Sequence, residues 1–448
     1  MSERKEPLYI QLYNYYKGLI LLGTLAPGSK LPSIRRCASE RMVSRITVEA
    51  AYLQLAAEGY IVAKPGSGYY VGKINYSPFS YATPLLQKNK RESIKPLYDF
   101  VSSTVDYKSF NFDLWRRYIK SALRNTQRLL GYGEAQGEYD LRVALTHYIR
   151  ERRGVVCTPE QIVVGAGVQS LLHILCSLVE TPSSLCFVGS EFAQGKAIFE
   201  DRGIRTFATK GLNLEELLAK KLQFIYTSPS HLTPWGEVMP MEMRLALLAF
   251  AHREDCLIIE DDYDSEFRYY ARPVPSLQGL DGGKKVIYLG SFSKLLLPSL
   301  RMSFMVLPLG LIESYQQKGH VYNQTASTAE QIALCQFIRD GHLEKQIKKA
   351  RKLYMSKNQL LCKTIEKVFG DQAVALSGSG GFLVQLEVKV AYSAKELVER
   401  AQQVGVFVKP STSEESAYPR LLLSCSGIAE EDFPEALSLL KEAFFGEK

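Results

Sequence analysis

The sequence predicts an α/β protein with three parts: a small N-terminal winged helix-turn-helix, a large domain with a mixed, mostly parallel sheet, and a small C-terminal α+β domain. Two observations predict this organisation. Helix signals and then a β-hairpin signal occur in residues 7–72, and from about residue 97 apolar runs of strand length alternate with helical stretches. We expect an N-terminal domain at residues 1–72, a linker at 73–96 and a body at 97–448, whose small subdomain begins near residue 340.

The first helix of the N-terminal domain is expected to begin after Pro7, because proline is favoured at helix starts. Its apolar residues fall on one face at helical spacing: Leu8, Leu12, Tyr15, Tyr16 and Leu19.

Two further helices have serine caps. Ser33 can cap a helix that runs to about Arg41, and Ser44 can cap one that stops near Gly59. β-Prone runs at residues 60–63 and 69–71 flank a Gly/Pro-rich turn, which predicts a hairpin. Three helices followed by a hairpin make a winged helix-turn-helix.

The body contains five apolar runs of strand length, separated by helical stretches such as 168–179 and 239–253. The runs lie at residues 162–164, 185–188, 224–227, 257–260 and 286–289. Strands without polar alternation indicate a sheet that helices cover on both faces. The C-terminal part predicts strand, helix, strand and helix at residues 382–388, 393–405, 420–425 and 429–445.

Composition places the chain among folded proteins, with 46% hydrophobic and 23% charged residues in 448. The longest apolar stretches, such as residues 18–26, are shorter than the roughly 20 residues of a membrane helix. No secretory signal is seen at the start, so we expect a cytoplasmic protein. The eight cysteines are far apart in sequence, which predicts reduced thiols and no metal site.

The net positive charge of the chain arises entirely in its N-terminal fifth. Residues 1–96 hold 14 Lys and Arg against 6 Asp and Glu, whereas residues 97–448 hold 41 of each. A basic module on a neutral body indicates an anionic polymer as the partner of that module. A solubilising basic segment is the alternative.

The predicted recognition helix would present its first residues to DNA, while the preceding helix and the wing would meet phosphates. Arg45 could bond a guanine edge, and serine and threonine hydroxyls suit phosphate oxygens. These residues could instead be solvated polar groups of a small interaction domain. The candidate DNA-binding residues are Ser33, Arg35, Arg36, Ser44, Arg45, Thr47, Lys64 and Gly66.

The wording of this segment resembles the GntR-type DNA-binding domain. Residues 28–35 read GxxLPSxR, residues 44–59 read SRxTVxxAYxxLxxEG, and residues 66–71 read GSGxYV. The resemblance spans nearly all of residues 7–72 and implies operator DNA as a partner.

Two strands of the body end in chemically active side chains. The strand ending near residue 260 is followed by Asp261 and Tyr263, and the strand ending near residue 289 by Ser291, Ser293, Lys294 and then Arg301. Ligands of α/β sheets gather at such carboxyl ends. Pyridoxal phosphate needs a lysine amine for a Schiff base, a carboxylate for its pyridine nitrogen, and donors for its phosphate.

These residues supply all three requirements. Lys294 provides the amine, Asp261 the carboxylate and Tyr263 a donor for the ring hydroxyl, while the phosphate donors are Ser291, Ser293 and Arg301. Backbone N–H groups at Val168 and Gln169, where a helix follows a glycine-rich turn, would join them. Each motif alone is weak, because an aspartate that ends a buried strand is more often a cap than a cofactor ligand.

Residues 97–448 resemble the body of a fold-type I, pyridoxal-phosphate-dependent aminotransferase, and the whole chain resembles the MocR/GabR group of GntR-type regulators. Residues 260–267 read EDDYDSEF and residues 290–301 read GSFSKxxxPSxR. The resemblance implies an aldimine on Lys294, with Asp261, Tyr263 and Arg301 in the roles given above. It also implies that His231, in the loop TSPSH, lies beside the cofactor ring.

Two further residues acquire roles through the resemblance. Tyr132, within GYGxxxGxxxLR at residues 131–142, is similar to the tyrosine that reaches the neighbouring subunit's phosphate in a domain-swapped homodimer. Arg420 matches the position that grips an effector carboxylate. Tyr132 could instead serve dimer packing, Arg420 could pair with an acid of the small domain, and His231 could be a hydrogen-bonded loop residue.

Two loops depart from the group's pattern, at three places in all, and predict an altered effector pocket. A usual Pro-Gly-Tyr reads Ser190-Glu191-Phe192, and a usual Pro-Thr-Gly reads Pro234-Trp235-Gly236. Gln194 stands where the GABA-responsive member is expected to have an arginine. A doubly anchored ω-amino acid is therefore disfavoured as effector, and pyridoxal phosphate itself is favoured, unless Gln194 faces solvent.

The sequence thus predicts a transcriptional regulator that senses pyridoxal phosphate or an amino compound through Lys294. Two alternatives remain open. One is an active aminotransferase with an accessory N-terminal domain, and the other is a plain repressor whose cofactor is only structural.

Overall fold

The computed structural model describes residues 6–73, 95–102, 104–179, 183–189, 192–209, 211–233, 236–269, 274–319, 321–378, 380–411 and 416–446. The chain divides into two compact units, Met1–Ser93 and Ile94–Lys448. Most of the predicted linker, residues 74–94, lies outside the described residues, as do Ser190, Glu191, Pro234 and Trp235.

The N-terminal unit contains three helices and a hairpin, as the caps predict. Its elements are α1 Leu8–Leu21, α2 Ile34–Arg41, α3 Arg45–Ala57, β1 Ile61–Lys64 and β2 Gly68–Val71, the two strands being antiparallel. The Ser33 hydroxyl accepts the Arg36 N–H, and the Ser44 hydroxyl accepts the Thr47 N–H, which satisfies amide groups at both helix starts.

The predicted apolar face of α1 is only partly correct. Leu12 and Tyr16 are buried, but Leu8 is 58% exposed and Tyr15 is 42% exposed. Leu8 is the first residue of the helix, and the Tyr15 ring lies outside the core with the Arg41 guanidinium 4.0 Å from its centroid. This cation–π contact covers one ring face without burying it.

The C-terminal unit contains most of the strands. They are β3 Tyr98–Asp99, β4 Ile162–Gly165, β5 Ser184–Val188, β6 Arg205–Thr209, β7 Phe224–Thr227, β8 Leu257–Asp262, β9 Val286–Ser291, β10 Ser303–Val306, β11 Ala373–Ser377, β12 Leu383–Val388, β13 Val406–Phe407, β14 Lys409–Pro410 and β15 Arg420–Ser424.

Its helices surround two sheets. They are α4 Phe112–Ala122, α5 Thr126–Leu129, α6 Tyr139–Arg153, α7 Val168–Leu178, α8 Ala193–Asp201, α9 Leu214–Ala219, α10 Met241–Arg253, α11 Leu277–Asp281, α12 Leu309–Gly319, α13 Thr328–Arg339, α14 His342–Phe369, α15 Ala394–Gln403 and α16 Phe433–Phe445.

The larger sheet has, within the described residues, the strand order β4-β10-β9-β8-β7-β5-β6. β10 runs antiparallel to β4 and β9, and the other neighbouring pairs are parallel. Every residue of β4, β5, β7 and β10 is buried, so apolar clusters cover the sheet on both faces. The predicted mixed, mostly parallel sheet is confirmed.

The small subdomain has an antiparallel sheet in the order β11-β12-β15-β14, packed on α14, α15 and α16. The two helices predicted here are shorter than expected, at Ala394–Gln403 and Phe433–Phe445. A capping box at Ser393 and Glu396 fixes the first start, and Pro434 in the first turn suits the second. All eight cysteines carry free thiols, as predicted.

Candidate functional site

Three neighbouring parallel strands bring the predicted cofactor residues to one edge of the large sheet. β7, β8 and β9 pair in register, with Thr227 opposite Glu260 and Asp262 opposite Gly290. β8 therefore delivers Asp261 to this edge, and the segment that follows β9 carries Lys294. This edge is where α/β sheets hold their ligands.

The amine of Lys294 lies between two aromatic rings. Its Nζ is 4.9 Å from the ring centroid of Tyr263 and 5.0 Å from that of Phe382. Burial lowers the pKa of Lys294, although the carboxylates of Asp264 and Asp261 oppose that effect. A lowered pKa increases the fraction of neutral amine, which is the nucleophilic form.

The Asp261 carboxylate is buried and only half satisfied. Its Oδ2 accepts a hydrogen bond from the Tyr226 hydroxyl at 2.6 Å, whereas its Oδ1 has no hydrogen-bond partner among the described residues. Burial raises the pKa of Asp261 to about 7. An unsatisfied buried oxygen is costly, so this site is suited to a ligand that supplies a cationic N–H donor.

His231 and Tyr263 form one wall of the site. Their ring centroids are 5.3 Å apart, and His231 Nδ1 lies 2.9 Å from Asp264 Oδ2. Burial alone would raise the pKa of Asp264, but His231 holds it below its ordinary value. Burial raises the pKa of Tyr263, which keeps its hydroxyl protonated as a donor. His231 is thus a loop residue that pairs with Asp264 and lies next to Tyr263, the predicted donor to the ring hydroxyl.

The hydroxyl groups after β9 form a connected cluster. Ser291 Oγ donates to Ser293 Oγ at 3.2 Å, and Ser303 Oγ donates to Ser291 Oγ at 3.1 Å. Across the sheet edge, the Ala166 N–H donates to Thr325 Oγ1 at 2.9 Å. Neither Ser303 nor Thr325 was predicted, because Ser303 lies just beyond the motif that ends at Arg301 and Thr325 comes from a segment distant in sequence.

The Arg301 guanidinium lies against the start of α7. Gly167 is the N-cap of α7 with φ 87°, and no side chain caps the helix. A Cβ at Gly167 would clash with the Arg301 guanidinium, so glycine allows the cation to lie against the backbone. The Arg301 guanidinium and the N–H groups of Val168 and Gln169 in the first turn of α7 together make a site suited to an anion.

The predicted effector residues are less well grouped. Arg420 Nε donates to Glu387 Oε2 at 2.7 Å, which is the ion pair that the sequence left open as an alternative. Gln194 is exposed on α8, so its replacement of an arginine no longer argues for an altered effector pocket. Phe192 is half-buried with its ring 6.1 Å from that of Tyr226, and Tyr132 is 88% exposed.

Several site residues were not predicted. Tyr226 lies inside an apolar strand, where its hydroxyl gave no separate signal, and Phe382 and Lys409 come from the small subdomain. Lys409, Phe382 and Lys294 line one cavity of about 180 Å³. Only the packing of the subdomain against the large sheet brings these three together.

The candidate DNA-binding residues of the N-terminal unit divide into two groups. Ser33, Ser44 and Thr47 are engaged in helix caps, with Ser44 Oγ 2.8 Å from Thr47 Oγ1, and Arg36 pairs with Glu40 at 2.6 Å. The more available cations are the exposed Arg35, Arg45 and Lys64, the last with its Nζ 4.5 Å from the Tyr70 ring centroid. Gly66, with φ 72°, makes the turn of the wing.

Among the described residues, no helix combines the length and apolarity that crossing a membrane requires.

Two family descriptions match the chain. Residues 8–71 match "Bacterial regulatory proteins, gntR family", and residues 102–440 match "Aminotransferase class I and II". The chain is 37% identical to the uncharacterized HTH-type transcriptional regulator YdeL of Bacillus subtilis, across 98% of this chain and 97% of that protein. It is 30% identical to the probable rhizopine catabolism regulatory protein MocR of Rhizobium meliloti, across 98% and 94%.

A more distant relative and a solved structure extend the comparison. The HTH-type pyridoxine biosynthesis regulator PdxR of Corynebacterium glutamicum is 28% identical across 82% of this chain and 81% of its own length. The crystal structure of an archaeal alanine:glyoxylate aminotransferase covers 80% of this chain and 92% of that one, with a TM-score of 0.70 and 22% identity. The latter likeness shows the fold of the body.

Proposed function

Because the chain belongs to the MocR/GabR group of GntR-type transcriptional regulators, we propose that it binds operator DNA and controls transcription in response to pyridoxal phosphate or an amino compound held at Lys294. The N-terminal unit would bind the DNA, and the aminotransferase-like body would bind the small molecule.

The observation that carries the cofactor assignment is the unpartnered Oδ1 of buried Asp261. A protonated pyridine nitrogen is a donor of the required charge, and it would stabilise the ionised carboxylate whose pKa burial raises to about 7. The amine of Lys294 and the anion site at the start of α7 meet the other two requirements of pyridoxal phosphate. The residues of this chain therefore fit the cofactor.

Each residue has a separate task in this proposal. The cofactor, when bound, supplies an aldehyde that captures amines and a ring that accepts electron density. Lys294 presents an amine whose lowered pKa favours the nucleophilic, neutral form, and Asp261 keeps the pyridine nitrogen protonated while the Tyr226 hydroxyl orients its carboxylate. Tyr263 donates to the ring hydroxyl, with His231 and Asp264 fixing that wall.

The phosphate would be bound at the opposite end of the site. Arg301 supplies the charge, Ser291 and Ser293 supply hydroxyls, and Val168 and Gln169 supply backbone N–H groups at the positive end of α7. Tyr132, exposed in one chain, would complete this end from the partner subunit of a domain-swapped homodimer.

The N-terminal unit would read DNA from the start of α3. Arg45 is exposed at the first position of that helix and would contact a base edge, while Arg35 and Lys64 would contact phosphates. DNA binding can respond to the small molecule only if two arrangements of the protein, one that binds DNA and one that does not, have different affinities for that molecule.

Gel-shift assays with the upstream region of the gene, with and without pyridoxal phosphate, test this proposal. The purified protein should be yellow, and its DNA affinity should change when the cofactor is removed and restored. Lys294→Ala should abolish the visible absorbance and the response, while basal DNA binding persists.

A second candidate is a working aminotransferase, which the lowered pKa of Lys294 and the ionisable Asp261 favour. Multiple turnovers with an amino donor and a keto acid, without specific DNA binding, would establish it and defeat the regulator proposal.

A further inference from the structure

A cavity of about 180 Å³ adjoins Lys294 on the side of the small subdomain. Of the residues proposed to hold the cofactor, only Lys294 lines it. The walls are apolar at Phe100, Phe382 and Leu422, and hydroxyl groups such as that of Ser424 lie between them. This cavity therefore offers space for a small ligand next to the amine.

Lys409 gives the cavity a second basic side chain. It lies on β14, directly opposite Leu422 of β15, and lines the cavity with Leu422 and Lys294. The described lining residues include no carboxylate, so Lys409 has no counter-ion in the wall. Lys409 also contributes to the lowered pKa of Lys294, as a nearby like charge does.

The strand register separates Lys409 from Arg420. Residues directly opposite each other in antiparallel strands share a face, as do alternate residues of one strand, so Arg420, Leu422 and Lys409 lie on the same face. Arg420 occupies the next row, about 7 Å further along β15. There it is opposite Glu387, whose carboxylate pairs with it.

The two cations therefore differ in their availability to a ligand. Glu387 neutralises Arg420, whereas Lys409 makes no ion pair with the residues that the structure describes. An ammonium beside a half-apolar cavity attracts an anion.

We propose that Lys409 is a specificity-determining residue of the effector pocket, and that its ammonium pairs with an anionic side-chain group, carboxylate or phosphate, of an amino compound. This inference rests on the proposed function, because the amine of such a compound would be directed to Lys294. The effector class thereby narrows from amino compounds in general to amino compounds whose side chain carries an anionic group.

Three matched pairs of ligands test the charge requirement. Each pair differs chiefly in the anionic group: L-aspartate with L-asparagine, L-glutamate with L-glutamine, and O-phospho-L-serine with L-serine. Calorimetric titration of the full-length, cofactor-loaded protein should show at least tenfold tighter binding of one acid than of its neutral partner. The preferred pair identifies the anion as carboxylate or phosphate.

Variants then assign the preference to Lys409. Lys409→Met should reduce the preference for the acid over its neutral partner to less than threefold, and Lys409→Arg should retain most of that preference. Lys395→Met, which removes an exposed lysine from α15 of the same subdomain, should leave it unchanged.

Equal affinity for the acids and their neutral partners, the absence of binding by any acid, or a preference that survives Lys409→Met would overturn the inference. The visible spectrum, recorded on the same samples, separates this result from the proposed function. A yellow protein without acid preference defeats only the role of Lys409. A colourless protein whose acid preference depends on Lys409 defeats only the assignment of the cofactor.

Discussion

Replacing Asp261 with asparagine should change how the stability of the cofactor-free protein depends on pH. Burial raises the pKa of Asp261 from 3.8 to about 7. A carboxyl group with a raised pKa in the folded state stabilises that state fully below its unfolded pKa. This stabilisation is lost as the pH rises through the folded pKa, because the unfolded state ionises first.

The size of the effect follows from the shift. About three pKa units at 1.36 kcal/mol each give a total of about 4 kcal/mol, of which roughly 2–3 kcal/mol falls between pH 5 and pH 8. Asparagine has nearly the same shape and can still accept the Tyr226 hydrogen bond, but it does not ionise. The stability of Asp261→Asn relative to the natural protein should therefore rise by roughly 2–3 kcal/mol over this range.

Urea unfolding followed by tryptophan fluorescence measures this difference in the body alone, since the chain has two tryptophans, Trp115 and Trp235, both in residues 102–440. Burial also raises the pKa values of Glu260 and Glu266 to about 7, but these groups are present in both proteins and their effects largely cancel. Added pyridoxal phosphate should stabilise the natural protein more than the variant at pH 8. Parallel pH profiles of the two proteins would refute the reasoning.

Three other substitutions test separate parts of the account. Gly167→Ala should lower pyridoxal phosphate affinity at least tenfold in absorbance titrations, because its Cβ would displace Arg301. Gly310→Ala is the control, since Gly310 has open space around it. Equal affinities of the Gly167→Ala variant and the natural protein would count against the anion site. Arg45→Ala should weaken operator binding by about 1–3 kcal/mol in gel shifts and relax specificity at one base pair, and an unchanged affinity would remove Arg45 from the interface. Ser44→Ala should lower the stability of the N-terminal unit by about 1 kcal/mol in thermal unfolding, whereas Ser44→Gly should cost only a few tenths.

Local signals in the sequence predicted the N-terminal unit closely. The hydroxyls of Ser33 and Ser44 accept N–H groups three residues ahead, so both helix starts follow from contacts within one turn. The exposure of Tyr15 could not be predicted in this way, because it depends on how α1 packs against the other elements of the unit.

In the large sheet, too, local signals predicted some strands and missed others. Its central strands are continuous apolar runs and were predicted, but β6, with only one buried residue, and the short β10 were not. Motifs placed Lys294, Asp261 and Arg301 at one site. The hydrogen-bond partners of Asp261 and of Arg420 come from distant segments: Tyr226 is 35 residues from Asp261, and Glu387 is 33 residues from Arg420. Pairing between strands that are far apart in sequence brings these groups into contact.

The central claim is that Lys294 binds the aldehyde of pyridoxal phosphate. Reduction of the purified protein with borohydride, followed by peptide mass mapping, tests it most directly. We expect a phosphopyridoxyl group on the peptide that contains Lys294, and its loss in Lys294→Ala. An unmodified Lys294 peptide from a cofactor-saturated sample, or the same label on another lysine, would contradict it.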